Sequence, residues 1–147
     1  MRPFFSSQFW VVCAASLVMG VATVPQHNTL TVDIEHIREI KGDLKLVLFH
    51  QERGFPDDPH KGFKMLVEPV KGNTARVQFT NIPEGVYAVA VYQDLNQDNK
   101  MNSNFFDVPS EPFGCSNNPT AKLKRPHFSE AKFEFAHHKH RIKIRLH

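Results

Sequence analysis

Apolar and polar residues alternate along much of this chain, which is the pattern of β-strands that bury one face. The pattern predicts six strands, centred on the following positions: Leu30, Val32 and Ile34; Leu44, Leu46 and Leu48; Ala75, Val77 and Phe79; residues 86–92; Ala131, Phe133 and Phe135; Ile142, Ile144 and Leu146. A seventh strand is predicted within residues 63–70, where Met65 and Val67 precede Pro69.

The run at residues 86–92 is apolar on both faces, as expected of a central strand covered on both sides or of a sandwich strand near an edge loop. Turn signals such as Lys41-Gly42-Asp43 and Pro83-Glu84-Gly85 separate the strands. No stretch has convincing helical periodicity. The fold class is therefore predicted to be all-β, a single antiparallel β-sandwich with Greek-key connections, immunoglobulin-like or transthyretin-like.

Two segments are too long to be simple turns. Residues 51–62 carry two prolines, two glycines and three carboxylates, and residues 94–126 form a longer segment. Three aromatic residues of the second segment, Phe105, Phe106 and Phe113, predict that it packs down onto the sandwich. Long loops in compact domains are usually binding surfaces or well-packed structures.

The first residues have the features of a secretory signal peptide. Arg2 precedes an apolar run at residues 9–24 that contains the small-residue sequence Gly20-Val21-Ala22. We expect cleavage after Ala22, which gives a signal peptide of residues 1–22 and a domain of residues 23–147. The run is too short for a comfortable membrane span, so an uncleaved anchor is the lesser alternative. The mature protein is expected to be periplasmic or extracellular, without an integral membrane span.

Composition predicts one globular domain, since 41% of the 147 residues are hydrophobic and 22% are charged. Cleavage would remove Cys13 and leave Cys115 as the only cysteine, so no internal disulfide is expected. It would also remove Arg2 and lower the formal charge from +3 to +2. This charge does not indicate a nucleic-acid partner.

Basic residues gather near the end of the chain on alternate positions, at Lys139, Arg141, Lys143 and Arg145. The preceding segment offers Glu130 and Glu134 on alternate positions of its own. Cross-strand charge pairing on a solvated sheet face is the expected explanation.

Oxygen-bearing side chains at every second position follow the strand at residues 86–92. In a calcium loop, the metal ligands would be Asp94, Asn96, Asp98, the backbone carbonyl of Lys100, and Asn102. The alternative is a run of turns in which Asp and Asn side chains bond to nearby backbone N–H groups. Calcium is the only cofactor that the sequence indicates.

Two positions depart from the calcium-loop pattern. Asn99 stands where the pattern has glycine, and Phe105 stands where it has a bidentate glutamate. Asp107 or Glu111 could supply that ligand only if the chain curls back.

Histidines and one loop suggest other chemistry. His137, His138 and His140 lie between two predicted strands, where opportunistic metal capture is conceivable. A catalytic site would draw on Cys115 or on the loop residues His50, Asp57, Asp58 and His60, but no spacing ties these residues together.

The placed motifs resemble the bacterial family called domain of unknown function 2141 (DUF2141), small exported proteins of unassigned role. The resemblance rests on these segments: 85–92 followed by Asp94-x-Asn96-x-Asp98-x-Lys100; residues 108–114 with Ser116-Asn117-Asn118; Pro126-x-Phe128-x-x-Ala131-x-Phe133; and Ile142-x-Ile144-x-Leu146. Departures from the family pattern are Asn99, Asn102, Asp107 and Cys115, where glycine, aspartate, glycine and an aromatic residue are usual. Fewer charges weaken a hard-cation site.

The leading functional hypothesis is an exported, non-catalytic binding or accessory module of the bacterial cell envelope, whose loops recognise a protein, a peptide or a glycan. One alternative is a small hydrolytic enzyme that uses the loop from His50 to His60. The other is a structural domain that adds an edge strand to a partner.

Overall fold

A computed structural model describes residues 28–103, 109–120, 125–136 and 139–147. The described residues form eight strands: β1 (Thr29–Glu35), β2 (Asp43–Phe49), β3 (Lys64–Pro69), β4 (Ala75–Thr80), β5 (Gly85–Asp94), β6 (Phe113–Cys115), β7 (Phe133–Phe135) and β8 (Lys139–Arg145). A 3₁₀ turn covers Pro59–Lys61, and the short helix α1 covers Phe128–Ala131. Six of the seven strands predicted from the sequence are confirmed. The strand predicted at Ala131, Phe133 and Phe135 is confirmed only for Phe133–Phe135, because Ala131 is the last residue of α1. Strand β6 and the two helical segments were not predicted.

The strands form two sheets. One has three strands in the order β4-β1-β8, and the other has five strands, in which β3, β2, β5 and β6 follow one another. The first residues of β5 pair with β7, and its later residues pair with β6. None of the helices described is long and apolar enough to cross a membrane.

One strand pair is parallel. Strands β1 and β8 run in the same direction, with Thr29 opposite Lys139 and Glu35 opposite Arg145, whereas the other pairs are antiparallel. The prediction of purely antiparallel pairing is therefore wrong at this pair. A period of two shows which face a strand buries but contains no information about the direction of its neighbour.

The inward side chains of both sheets form one apolar cluster. Leu30, Leu46, Phe79, Val89 and Phe135 belong to it, and each has no exposed surface. The fold prediction is thus confirmed as an almost entirely β structure of two sheets. Its finer form, a single Greek-key sandwich, stays a prediction.

The five-stranded sheet is also covered on its outer face. Ala88 and Ala90 of β5 face outward and pack in a second buried cluster with Phe49, against which Phe55 and Phe128 lie. Strand β5 is therefore buried on both faces, as the apolar run at residues 86–92 predicts.

The basic residues near the chain end pair across strands, but not with the predicted partners. Arg141 lies 3.0 Å from Asp33, and Lys143 lies 3.4 Å from Glu35. The expectation that Glu130 and Glu134 supply the partners is wrong, since β8 lies beside β1, whereas Glu134 lies on β7 in the other sheet.

Several predictions fall outside the described residues. These are the signal peptide at residues 1–22, the packing of Phe105 and Phe106, Asp107 as a replacement ligand, and metal capture by His137 and His138.

Candidate functional site

A cleft of about 710 Å³ opens on the outer face of the five-stranded sheet. It lies between the two segments that the sequence marks as too long for simple turns. Residues 56–60 line one side, and residues 99–103 line the other. Ligand pockets generally enclose about 300–1,000 Å³, so the cleft has the size of a binding site.

Two rows of outward-facing side chains cross the sheet, and five of their members form the floor of the cleft: Val47, Ala90, Tyr92, Phe113 and Cys115. In the strand order β3, β2, β5, β6, one row is Met65, Val47, Ala90 and Cys115, and the other is Val67, Lys45, Tyr92 and Phe113. Met65 and Val67 lie beyond the cleft on the edge strand, where they are 55% and 46% exposed. In the first row, apolar side chains therefore continue from the cleft to the edge of the sheet, whereas in the second row Lys45 separates Val67 from Tyr92.

The first wall, residues 51–62, is anchored by aromatic packing. The ring of Phe55 packs edge-on against Phe49, with 5.3 Å between centroids, and against Phe128, with 5.8 Å between centroids. Edge-to-face pairs of this kind add to the stabilisation by simple burial. The wall is thereby fixed against the sheet and the helix α1.

An ion pair lies at the rim. Arg125 Nη1 is 2.7 Å from Asp57 Oδ2, and both side chains line the cleft and are largely exposed. The pair connects the first wall to the end of the second long segment. It places one cation and one anion where a ligand would enter.

The second wall begins with two consecutive turns closed by side chains. Asn96 Oδ1 accepts a hydrogen bond from the backbone N–H of Asp98 at 3.2 Å, and Asp98 Oδ1 accepts one from Lys100 at 2.8 Å. The amides of Asn96 and Asn102 both donate to Asp98 Oδ2 at 3.1 Å. These bonds hold the pKa of Asp98 below its usual range, the bond from Lys100 having the largest effect.

The first acidic residue of this wall is buried beside a lysine. The Asp94 side chain has no exposed surface, and its Oδ2 accepts a hydrogen bond from the backbone of Asn99 at 2.9 Å. Lys45 Nζ lies 3.8 Å from the same oxygen and donates to Asn99 Oδ1 at 2.8 Å. Oδ1 of Asp94 accepts no hydrogen bond from the described residues. A buried carboxylate needs a compensating charge, and Lys45 supplies it.

Glu111 joins the two ends of the wall. Its carboxylate accepts hydrogen bonds from the backbone N–H groups of Leu95, at 2.9 Å, and Asn102, at 3.0 Å. The residue is buried, with 6% of its surface exposed. Glu111 therefore holds the two ends of the turn together, as a clamp, and does not face solvent as a free acid.

The two titratable groups on the floor stay protonated at neutral pH. Burial, with smaller contributions from Asp94, Glu111 and Asp98, raises the pKa of Tyr92 to about 12. Burial and the nearby Asp57 raise the pKa of Cys115 to about 12. A buried thiol with so high a pKa is a poor nucleophile.

The structure brings the predicted calcium ligands into one turn. Asn96 and Asn102 both bond to Asp98, and Lys100 supplies a backbone N–H to Asp98. Asp94 bonds instead to the backbone N–H of Asn99. No group of three His, Cys, Asp or Glu side chains within the described ranges is arranged to hold a metal ion. The turn satisfies the oxygens of Asp98, whereas Oδ1 of Asp94 accepts no hydrogen bond from the described residues, and the calcium site stays a prediction.

The residues of the enzyme hypothesis have other contacts. The ring of His50 packs against Phe63 at 5.7 Å, and Asp58 pairs with Lys61 at 2.8 Å and accepts a bond from the backbone of His60. Asp57 pairs with Arg125 at the rim. His60 and Cys115 both line the cleft, whereas His50 does not. The predicted set is thus only partly brought together.

The Ser116-Asn117-Asn118 motif has a structural role. The Ser116 hydroxyl donates to the backbone of Ala131 at 2.6 Å and accepts from Val89 at 2.9 Å, which joins β5 to α1. The amide of Asn117 donates to the backbone of Lys132 at 2.9 Å. The amide of Asn118 makes two bonds to the backbone of β8. Its nitrogen donates to the carbonyl of Lys143 at 3.0 Å, and its oxygen accepts from the N–H of Arg145 at 2.8 Å.

Sequence reasoning missed two features of the site. In the sequence, Lys45 is an ordinary polar residue of β2. Only the pairing of β2 with β5 shows that its charge compensates that of Asp94. Arg125 lies in a segment without a strand pattern, and its pairing with Asp57 spans 68 positions. Such pairs can be predicted only when it is known which strands and loops are neighbours in the fold.

The comparisons with known proteins gave one match. The model of the family described as "Uncharacterized protein conserved in bacteria (DUF2141)" matches residues 32–143, which is more than half of the chain. The resemblance drawn from the motifs is confirmed. Neither the curated proteins nor the solved structures gave a match.

Proposed function

We propose that this chain, which belongs to the DUF2141 family of bacterial proteins, is an exported, non-catalytic binding module whose cleft takes an extended peptide. The observation that carries the proposal is the cleft of about 710 Å³ between the two long loops, with its apolar floor. Concave sites with apolar linings and a few placed polar groups are the usual form of ligand sites.

The floor supports a peptide rather than a glycan. It consists of aliphatic side chains and a thiol, with Tyr92 and Phe113 as its aromatic members among the described residues. The exposed Met65 and Val67 extend the apolar strip beyond the cleft by one strand. A peptide with apolar side chains at alternate positions can contact the cleft and the strip together. The rim pair of Arg125 and Asp57 can bond to its backbone.

A binding role agrees with the chemistry of the floor. The thiol of Cys115 and the phenol of Tyr92 are held protonated, so neither is activated as a nucleophile or a base. The side chains of Asp57 and Asp58 form ion pairs with Arg125 and Lys61. These contacts favour the module over the hydrolytic enzyme.

The edge strands give less support to the hypothesis that this chain adds an edge strand to a partner. Strand β3 ends at Pro69 and carries Lys64 and Glu68, and charges and proline on an edge oppose pairing with another chain. Lys64 Nζ also donates to the backbone of Thr80 in β4 at 2.8 Å, across the gap between the two edges.

The proposal is tested by selecting peptides from a displayed library on the mature chain. Ala90→Leu, which fills the floor, is the test variant, and its binding is measured only after the selection on the parent. Val86→Leu is the matched control, because Val86 lies on the same strand, is 47% exposed and does not line the cleft. Arg125→Ala tests the rim without touching the core.

We expect enrichment of apolar peptides that bind the parent and Val86→Leu equally and bind Ala90→Leu and Arg125→Ala more weakly. Peptides that bind the parent and all three variants with equal affinity would contradict the proposal. So would cleft-dependent binding of oligosaccharides from a glycan array without any peptide.

A further inference from the structure

The outer face of the three-stranded sheet carries an array of cations that the cleft does not use. We call it the basic face, and its charged members are Arg76 of β4, Lys139, Arg141, Lys143 and Arg145 of β8, and Asp33 and Glu35 of β1. Strand register places Asp33 between Arg76 and Lys143, and places the uncharged Thr31 between Gln78 and Arg141. The array is therefore ordered by the sheet.

The basic face has an excess of positive charge. Asp33 already bonds to two arginines, to Arg76 at 2.6 Å and to Arg141 at 3.0 Å, and Glu35 pairs with Lys143 at 3.4 Å. Five cations thus face two carboxylates, an excess of three. The mature chain as a whole carries +2, so the remainder of the molecule is slightly negative.

The cations point into solvent, and four of them form a row on alternate positions of β8. The side chains of Arg76, Arg141 and Lys143 are 59%, 55% and 68% exposed. Residues on one face of a strand repeat at about 6.6–6.8 Å. Lys139, at one end of the row, lies opposite the uncharged Thr29. A row that runs the length of a strand fits an extended anionic surface better than it fits a pocket-sized ligand.

We infer that the basic face docks on the surface of a lipid bilayer that contains anionic phospholipids. Charge complementarity carries the inference, because each Lys or Arg near such a surface strengthens binding by about fivefold. The inward sides of both sheets share one core, so the basic face and the cleft lie on opposite outer faces. A molecule docked in this way would hold the cleft open toward solvent.

The test measures co-sedimentation of the mature chain with vesicles of phosphatidylcholine, with and without phosphatidylglycerol. The test variant is Lys139→Gln/Lys143→Gln/Arg145→Gln. The matched control, Lys41→Gln/Lys71→Gln/Lys132→Gln, removes the same charge from exposed positions outside the basic face. Asp33→Asn removes a carboxylate and so increases the excess of positive charge on the basic face.

We expect binding to the anionic vesicles only, and weaker binding as salt rises from about 0.05 to 0.5 M, where charges are screened. The test variant should bind about a hundredfold more weakly, and the control within about threefold of the parent. Asp33→Asn should bind more tightly. Absence of binding to anionic vesicles, or equal losses in the two triple variants, would overturn the inference. Tighter binding of the basic face to duplex DNA than to the vesicles would also overturn it.

Discussion

The ammonium of Lys45 lies 3.8 Å from the carboxylate of Asp94, and both side chains are buried where β2 and β5 meet the 94–103 turn. The same ammonium bonds to Asn99 at 2.8 Å. A loop whose spacing resembles a calcium loop thus has a cation of the protein's own beside its first acidic residue.

Lys45→Met should destabilise the fold by about 3 kcal/mol, because removing one partner of a buried pair leaves the other charge uncompensated. Urea unfolding at pH 7 measures the change in free energy. Lys41→Met, at an exposed turn position, is the control and should cost little. Equal stability of the two variants would mean that Asp94 does not depend on Lys45.

Calcium and a chelator should give the same melting curve for the parent chain. The oxygens of Asp98 already accept bonds from Lys100, Asn96 and Asn102. Asp98→Ala should nevertheless lower the melting temperature by a few degrees in both conditions, because it removes the hydrogen bonds that close the turn. If calcium binds instead, a hundredfold excess over its dissociation constant would stabilise the parent by about 2.7 kcal/mol. Asp98→Ala would then abolish that gain.

Asp33 should contribute to stability in a pH-dependent way. The hydrogen bond from Arg76, with smaller effects of Arg141 and Lys143, lowers the pKa of Asp33 below its usual value of 3.8. A carboxylate whose pKa is lower in the folded state than in the unfolded state stabilises the fold at any pH above the unfolded-state pKa. That stabilisation is lost as the pH falls through the folded-state pKa. Asp33→Asn should therefore cost about 1 kcal/mol or less at pH 7, with the difference shrinking below about pH 4.

Urea unfolding at pH 7 and pH 3 measures this difference. Glu84→Gln, at an exposed turn position, is the control and should show no such dependence. An Asp33→Asn effect that stays constant from pH 7 to pH 3 would contradict the assignment.

Export should leave a mature chain that begins at Thr23. N-terminal sequencing of material from the cell-envelope fraction, supported by intact mass, measures the cleavage site. Recovery of a chain that retains Met1 from the cytoplasm would contradict both the export and the removal of Cys13.

Most strands could be predicted because each buries one face, which imposes a period of two on the sequence. Strand β5, buried on both faces, could be predicted from its continuous apolar run instead. Strand β6 could not be predicted, since Phe113–Cys115 is too short for a period and lies after Pro112. The parallel pairing of β1 with β8 has no local signal. The partners of Arg141 and Lys143 were misassigned for the same reason, because pairing between strands distant in sequence is decided by the packing of the whole core.

The site could be predicted only in part. The loop lengths indicated the two segments that enclose the cleft, and the alternation from Asp94 to Asn102 indicated the turn. The clamp formed by Glu111 and the compensation of Asp94 by Lys45 depend on contacts between distant segments. The floor of the cleft requires four strands to be in register, and no single segment contains that information.

The affinity of a selected peptide for the parent, Ala90→Leu and Val86→Leu, measured by isothermal titration calorimetry, tests the binding role of the cleft most directly. Thermal unfolding first establishes that all three chains fold. The cleft account predicts a dissociation constant at least about tenfold higher for Ala90→Leu, because the added methyl groups fill the floor, and an unchanged constant for Val86→Leu. Equal dissociation constants for all three folded chains would contradict it.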